Sequence, residues 1–262
     1  MFLVAGQSNI LNWHADAATL PRHAADAHIA FFFHTGAPPS KAGRMSTPFN
    51  ATSAGAWTTL QAQRQEPFVR YFRDFFGPEM SLGRALYGSG VRPLGLIKVG
   101  YFGSTLAEDW RPDAPTGNRL YSLLLTQVRD ALRQLAARGE SPRLAGVFWL
   151  QGETDGAQLQ SAGAYEANLR AFILRVRRDL APDATGGKPL PFVIGRVGPK
   201  PASGYPHQAL VRTAQVRVAE SVPGTAWVDT DDLPRDGDGV HLLAPGVLTL
   251  GERWAGAWLR LR

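Results

Sequence analysis

Four short stretches carry residue types that could do chemistry together. The first is GQSN, residues 6–9, which follows the apolar run Phe2 to Ala5 without a spacer. A serine hydroxyl is a weak nucleophile alone. It needs a general base, an acid that orients the base, and donors for the oxyanion. Ser8 also suits a plain helix N-cap, which requires no function. The second stretch, DGDGVHL at residues 236–242, can supply the base. Asp238 and His241 stand three apart on a Gly-containing loop, so a carboxylate can bond one imidazole nitrogen while the other faces outward. Of the six histidines, His14, His23, His28 and His34 crowd the N-terminal region and His207 lies at a helix start. Only His241 combines a strand-end location with a carboxylate at this spacing.

The third stretch is KVGYFGSTLAEDW, residues 98–110, where Gly103 can bring a backbone N–H close to a substrate oxygen. A simple Gly-containing turn is the competing reading. The fourth, GVFWLQGETDG at residues 146–156, ends an apolar strand in Gln151, Glu153 and Asp155 with no loop between. Burying such groups is costly unless they have partners, so their placement asks for a reason.

The elements that must position these stretches follow from the hydrophobic pattern. Short apolar runs predict strands at Phe2 to Ala5, Ile29 to Phe33, Leu94 to Val99, Leu144 to Leu150, Phe192 to Val197 and Ala226 to Asp229. Each is apolar on both faces, as parallel strands covered by helices on both sides require. Between them, helical periodicity predicts helices over Glu79 to Tyr87, Tyr121 to Ala137, Ala164 to Leu180, Gln208 to Ser221 and Pro245 to Leu261. In the second of these, Leu124, Val128, Leu132 and Leu135 fall on one face. The alternation predicts one α/β domain over residues 1–262, a doubly wound, flavodoxin-like three-layer fold with a mostly parallel sheet. Residues 35–76, rich in Gly, Pro, Ser and Thr, read as a long insertion. Ligands in such folds sit outside the carboxyl ends of the strands, where all four stretches lie.

Composition narrows the function classes. Of the 262 residues, 44% are hydrophobic and 19% charged, as in a globular protein, and no run of apolar residues is long enough to span a bilayer. No cysteine is present, which excludes disulfides, thiolate metal sites and a cysteine nucleophile. The net charge of +6 comes from scattered arginines, without the clustered stripe of a nucleic-acid footprint. Neither nucleic acid nor a membrane is expected as a partner. No basic leader precedes the first strand, so the segment reads as cytoplasmic or as the trimmed form of a secreted or periplasmic protein, the latter favoured. G-x-S-x-G and G-x-G-x-x-G are both absent, which argues against an α/β-hydrolase elbow and a dinucleotide site.

Taken in order, GQSN, the Gly103 block, WLQGETD and DGVH resemble the SGNH (GDSL-type) hydrolase superfamily, and more narrowly carbohydrate esterase family 6 and the sialic acid-specific acetylesterase domain. The resemblance spans residues 6 to 241. It implies Ser8 as nucleophile, His241 as base and Asp238 as its orienting acid. It implies an oxyanion hole made by the N–H groups of Ser8 and Gly103 and by the Gln151 amide. Gln7, Asn9, Glu153 and Asp155 would support the site, with Glu153 bracing Gln151 and the Ser8 loop. The activity implied is deacetylation of acetylated carbohydrates through an acyl-enzyme, with no cofactor or metal. Three departures stand out: Ile10 where Met is common, Leu150 where His or Tyr is frequent before the Gln, and Phe102-Gly103 in place of Gly-Gly. The alternatives are a non-catalytic carbohydrate-binding protein on the same fold, for which the seven tryptophans offer stacking surfaces, and an esterase for small non-sugar esters.

Overall fold

A computed structural model of the chain describes residues 1–39, 50–64, 74–113, 118–199 and 204–262. Its eight-stranded sheet has the order β3-β2-β5-β1-β6-β7-β8, with β4 pairing β2 beside that path. The strands are β1 (Phe2–Gly6), β2 (Ile29–Gly36), β3 (Asn50–Thr52), β4 (Thr58–Thr59), β5 (Leu94–Tyr101), β6 (Gly146–Leu150), β7 (Phe192–Gly195) and β8 (Thr225–Val228). All pairings among β2, β5, β1, β6, β7 and β8 are parallel, and only β3 and β4 run antiparallel against β2. The described helices are α1 (Ser8–Leu11), α2 (Glu79–Gly88), α3 (Leu120–Ala137), α4 (Leu159–Asp179), α5 (Gln208–Ser221) and α6 (Ala244–Leu261).

The apolar-on-both-faces pattern has a direct structural cause. Alternate residues of β1 enter two separate cores, because successive side chains of a strand point to opposite faces. Leu3 and Ala5 pack with residues of α3, α4 and α5, among them Val128, Leu169 and Val211. Phe2 and Val4 pack with residues of α2 and α6, including Leu82 and Trp254. Leu3 and Val4 are fully shielded from solvent, and burying such a side chain is worth about 1.5–3 kcal/mol. The doubly wound three-layer arrangement expected from the sequence is thus present. One detail differs from flavodoxin-like sheets: β5, not β2, lies directly beside β1.

Strand and helix boundaries follow the sequence pattern closely, with two informative departures. Helix α4 starts at Leu159, five residues before the expected Ala164. Its first turn is polar and leaves Leu159 exposed, so the buried stripe begins only at Ala162 and Tyr165. Leu144 stands outside β6, in an isolated bridge to Ala184. Of the 35–76 insertion, residues 40–49 and 65–73 lie outside the described residues; the described part contributes β3 and β4 to the sheet edge.

A charged group sits where the sequence pattern suggested only apolar packing. Lys98 of β5 and Glu79 of α2 form an ion pair of 2.9 Å with both side chains fully buried. Gln63 accepts from the Lys98 ammonium at 2.5 Å and donates to the Glu79 carboxylate at 2.9 Å. The Gly77 N–H adds a further donor to that carboxylate. The network joins the insertion, α2 and the sheet at one point. Among the described residues no helix is long and apolar enough to cross a membrane.

Candidate active site

The strand register brings the first, third and fourth stretches to one edge of the sheet. Gly6 at the end of β1 lies opposite Gly100 of β5 on one side and Leu150 of β6 on the other. Ser8, Gly103 and Gln151 therefore leave the carboxyl ends of three adjacent strands. Gly6 has to be glycine. Its φ is +147°, and a Cβ there would stand 1.9 Å from the Leu150 carbonyl oxygen. The tight approach lets the Gln7 N–H bond that same oxygen at 3.0 Å, and the chain turns at once into α1 with Ser8 in its first turn. Amides in a helix's first turn have no acceptor within the helix, which leaves them to aim at a ligand.

The loop carrying the second stretch is fastened to α1 from the far end of the sequence. Asn9 donates to the Val240 carbonyl at 3.1 Å, and its side-chain oxygen accepts from the Leu242 N–H at 2.9 Å. Asn12 donates to the Leu242 carbonyl at 2.8 Å. Three hydrogen bonds thus span more than 200 residues of sequence and clamp His241 to the segment that holds Ser8. Within the loop, Asp238 Oδ2 lies 2.5 Å from His241 Nδ1, while Oδ1 accepts from the N–H groups of Val240 and His241. Burial would push the Asp238 carboxyl up, but these hydrogen bonds outweigh it and hold it at about 2. Asp238 is therefore ionised wherever the enzyme could work, and it fixes the ring with Nδ1 turned inward.

The third stretch is braced by Asp155. Its carboxylate accepts from the N–H groups of Leu106 at 2.8 Å and Ala107 at 3.0 Å. Gly103 itself has φ +59°, a left-handed conformation natural to glycine. Burial pushes Asp155 up to about 6 despite hydrogen bonds from Gln151, Leu106 and Ala107.

Gln151 occupies the rim position expected of it but is turned inward. It is fully buried. Its amide nitrogen lies 2.6 Å from Asp155 Oδ2, 3.0 Å from the Ser104 carbonyl and 3.2 Å from Gln7 Oε1. An amide nitrogen has two protons, so those contacts leave none for an oxyanion in this geometry. Tyr165 donates to the Gln151 backbone and side-chain oxygens at 2.7 and 3.0 Å. The expectation of Gln151 as oxyanion donor is thus not met here; its contacts are those of a residue that holds the Gly103 loop to β6. Gln7 is likewise committed inward, accepting from the Gly152 N–H and donating to Thr154. Glu153 reaches the Ser8 loop, accepting from Asn9 at 2.9 Å, but does not bond Gln151. Burial raises its carboxyl above the ordinary range.

Two residues given no role in the sequence reading, Trp13 and His14, stand against the base. Trp13, just beyond α1, stands with its ring 5.2 Å from that of His241 and edge-on to Phe102 at 5.5 Å. His14 stacks on His241 at 4.5 Å with planes only 11° apart, and its Nδ1 pairs with Asp236 at 3.1 Å. Burial and then the nearby His241 lower the His14 pKa. The single sequence signal for them was position: Trp13 and His14 follow the Ser8 helix with only Asn12 between. Among the described residues, His14, Asp238 and His241 also offer metal-type ligand atoms within 4.8 Å of one another.

Comparison with known proteins identifies the family and the fold. The profile of a family described as carbohydrate esterase, sialic acid-specific acetylesterase, matches residues 1–260. A curated protein of Arabidopsis thaliana, named a probable carbohydrate esterase, is 27% identical over 186 residues, which is 70% of this chain and 63% of that protein. The match therefore spans less than two thirds of the relative's length. An X-ray structure of an Arabidopsis thaliana protein superposes with a TM-score of 0.68 at 19% identity, covering 99% of this chain and 97% of the other. The structure of NanS gives 0.68 at 16% identity, with 99% and 96% coverage. A carbohydrate acetylesterase from Xanthomonas citri gives 0.64 at 20% identity, covering 99% of this chain and 56% of that one. At such identities these superpositions speak for the fold.

Proposed function

The chain belongs to the carbohydrate esterase family of sialic acid-specific acetylesterases, and on that premise we propose that it removes acetyl groups from acetylated carbohydrates through an acyl-enzyme on Ser8. His241, oriented by Asp238, takes the Ser8 proton as the hydroxyl oxygen attacks the ester carbonyl. The N–H groups of Ser8 and Gly103 receive the charge that develops on the carbonyl oxygen. Collapse of the tetrahedral intermediate expels the sugar hydroxyl, which takes the proton from His241. A water activated by the same imidazole then releases acetate and restores Ser8.

One observation carries this reading. Asn9 and Asn12, within and just after the helical turn that Ser8 begins, clamp the loop whose His241 is already paired with Asp238. A carbohydrate-binding protein has no need to hold a carboxylate, an imidazole and a serine segment in that relation. Membership of this family supports a small acyl pocket, so acetyl esters should be preferred over butyryl and longer ones.

The test is Ser8→Ala, assayed for acetate release from a panel of acetylated sugars alongside a thermal melt. The variant should keep the fold and lose turnover, and a serine-reactive phosphonate should add its mass to Ser8 in the wild type alone. Near-normal turnover in Ser8→Ala would remove the assignment, and a preference for octanoyl esters would indicate a lipase-like enzyme instead.

A further inference from the structure

We infer that His14 is a positioning residue for the base: its ring lies flat on His241 and is pinned there by Asp236, so that the base keeps one plane while it moves the Ser8 proton. The effect on rate rests on the esterase reading above; the account of how the ring is held does not. An imidazole fastened only at Nδ1 can still swing about that bond, and its second nitrogen then sweeps an arc. Asp238 supplies the Nδ1 bond of His241. The flat face of the ring is covered by His14, at 4.5 Å and only 11° from parallel. Trp13 meets the same ring obliquely, at 5.2 Å and 44°. A near-parallel neighbour resists tilting more than an oblique one, because any tilt drives atoms of one ring into the other.

His14 is fixed in turn by the loop it steadies. Its Nδ1 lies 3.1 Å from Asp236 Oδ2, and the Asp236 N–H donates to the His241 carbonyl at 2.8 Å. Asp236 thus holds the base twice, once through its backbone and once through the stacked ring. Charge favours the same arrangement. Among the described residues, the titratable groups acting on His14 are Asp236, Asp238 and His241, all on this one loop, and its aromatic neighbour Trp13 brings no charge. Burial and then His241 lower the His14 pKa, against the two carboxylates, which raise it. Like charges in contact oppose each other. His14 therefore stays neutral while His241 is the imidazolium, and offers it a ring face rather than a second charge. The side chains of His14 and Asp236 are 23% and 47% exposed, so replacing either strands little buried polar surface and the rate can be read in a folded protein.

The experiment uses the whole chain and p-nitrophenyl acetate, with the wild type beside His14→Ala, His14→Leu, His14→Phe and Asp236→Asn, and a thermal melt of each. His14→Ala and His14→Leu should lower kcat by roughly 10- to 10²-fold, the cost of a misplaced base. KM should stay within about threefold, because the base acts on the transition states of acylation and deacylation alike. Leu fills the space without a flat ring, so it still tests the stack if the Ala variant folds poorly. His14→Phe restores the flat face and should return kcat to within about threefold of wild type. Asp236→Asn keeps an acceptor for His14 and should cost less than His14→Ala. Carbon-13 relaxation of the His241 ring Cε1–H should show wider motion in the Ala and Leu variants than in the wild type and His14→Phe. A kcat within about threefold of wild type in both Ala and Leu, or a Phe variant no faster than Leu, would overturn the positioning role. So would a raised KM at unchanged kcat, which would make His14 a wall of the substrate site. If the wild type hydrolyses no ester, the esterase reading fails instead, and the ring relaxation alone decides whether His14 holds His241.

Discussion

Asn9→Ala should damage the enzyme in two measurable ways at once, because one side chain carries three buried hydrogen bonds. Truncation leaves Glu153 Oε1, the Val240 carbonyl and the Leu242 N–H without their side-chain partner. A buried polar group left unmatched costs about 1–3 kcal/mol, giving roughly 3–9 kcal/mol for the set. Water entering the vacated space recovers part of this, so the expected loss is about 3–5 kcal/mol. For a chain of this size that corresponds to a fall in Tm of roughly 6–15 °C. The loop bearing His241 would keep the Asn12 bond and the His14–Asp236 pair to this segment, and displacement of a base by an ångström costs on the order of 10²-fold in rate. Asn9→Asp is nearly the same size yet should be worse at neutral pH. It removes the donor to Glu153 and sets a second carboxylate against it. Since burial already raises Glu153, the pair binds a proton more tightly folded than unfolded. The extra deficit of Asn9→Asp should therefore shrink as pH falls toward about 5 and grow as pH rises. The assays are thermal melts from pH 5 to 8 and kcat/KM for an acetyl ester. An Asn9→Ala protein that melts within about 2 °C of wild type, against the ~6 °C minimum expected, and keeps kcat/KM within about threefold would show that the clamp is dispensable.

Other perturbations test the remaining parts. Lys98→Met should cost about 3–5 kcal/mol in chemical denaturation by stranding Glu79, and Lys98→Met with Glu79→Gln should recover much of that; a double variant no better than the single would deny the pairing. Gln151→Ala should lower Tm clearly while reducing kcat less than about tenfold, because its protons are committed inward; a loss of ~10²–10³ in kcat at unchanged Tm would instead make it an oxyanion donor. Asp155, raised from 3.8 to about 6 by burial, binds a proton more tightly folded than unfolded. Wild-type stability relative to Asp155→Asn should accordingly be greatest below about pH 4 and decline by up to roughly 3 kcal/mol as pH rises past 6. Denaturant titrations at several pH values measure this, and a flat difference would contradict it.

The sequence made the strands legible because each is a short run that must be apolar on both faces, and β1 ends at Gly6 while β6 runs straight into Gln151. Helix α3 was legible for a similar reason, its stripe of Leu124, Val128, Leu132 and Leu135 being buried as the spacing requires. The start of α4 was not, since its polar first turn shows no stripe. Nor was the Lys98–Glu79 pair, because nothing in a one-dimensional pattern links a strand lysine to a glutamate at a helix start nineteen positions earlier. In the site, Asp238 and His241 could be paired from local spacing, whereas the inward turn of Gln151 depends on Asp155, Ser104 and Tyr165 converging from three elements. His14 has Asp16 two positions on in the sequence, but its partner in the fold is Asp236, 222 positions away.

The central position of β1 has a consequence for how the protein comes into being. Ser8 is translated near the start of this sequence, yet β1 must wait for β5 and β6, at residues 94–101 and 146–150, before either of its edges is paired. The clamp on Asn9 must wait longer still, for Val240 and Leu242. At elongation rates of about 5–20 residues per second, that interval is roughly 10–50 seconds. Until β5 and β6 emerge the nascent chain carries an unpaired apolar strand, and until the clamp closes Ser8 has no base held against it. On the proposed mechanism, hydrolysis begins only after nearly all of this sequence has emerged and folded. The appearance of activity during synthesis would time the closing of the whole domain rather than the folding of any one part.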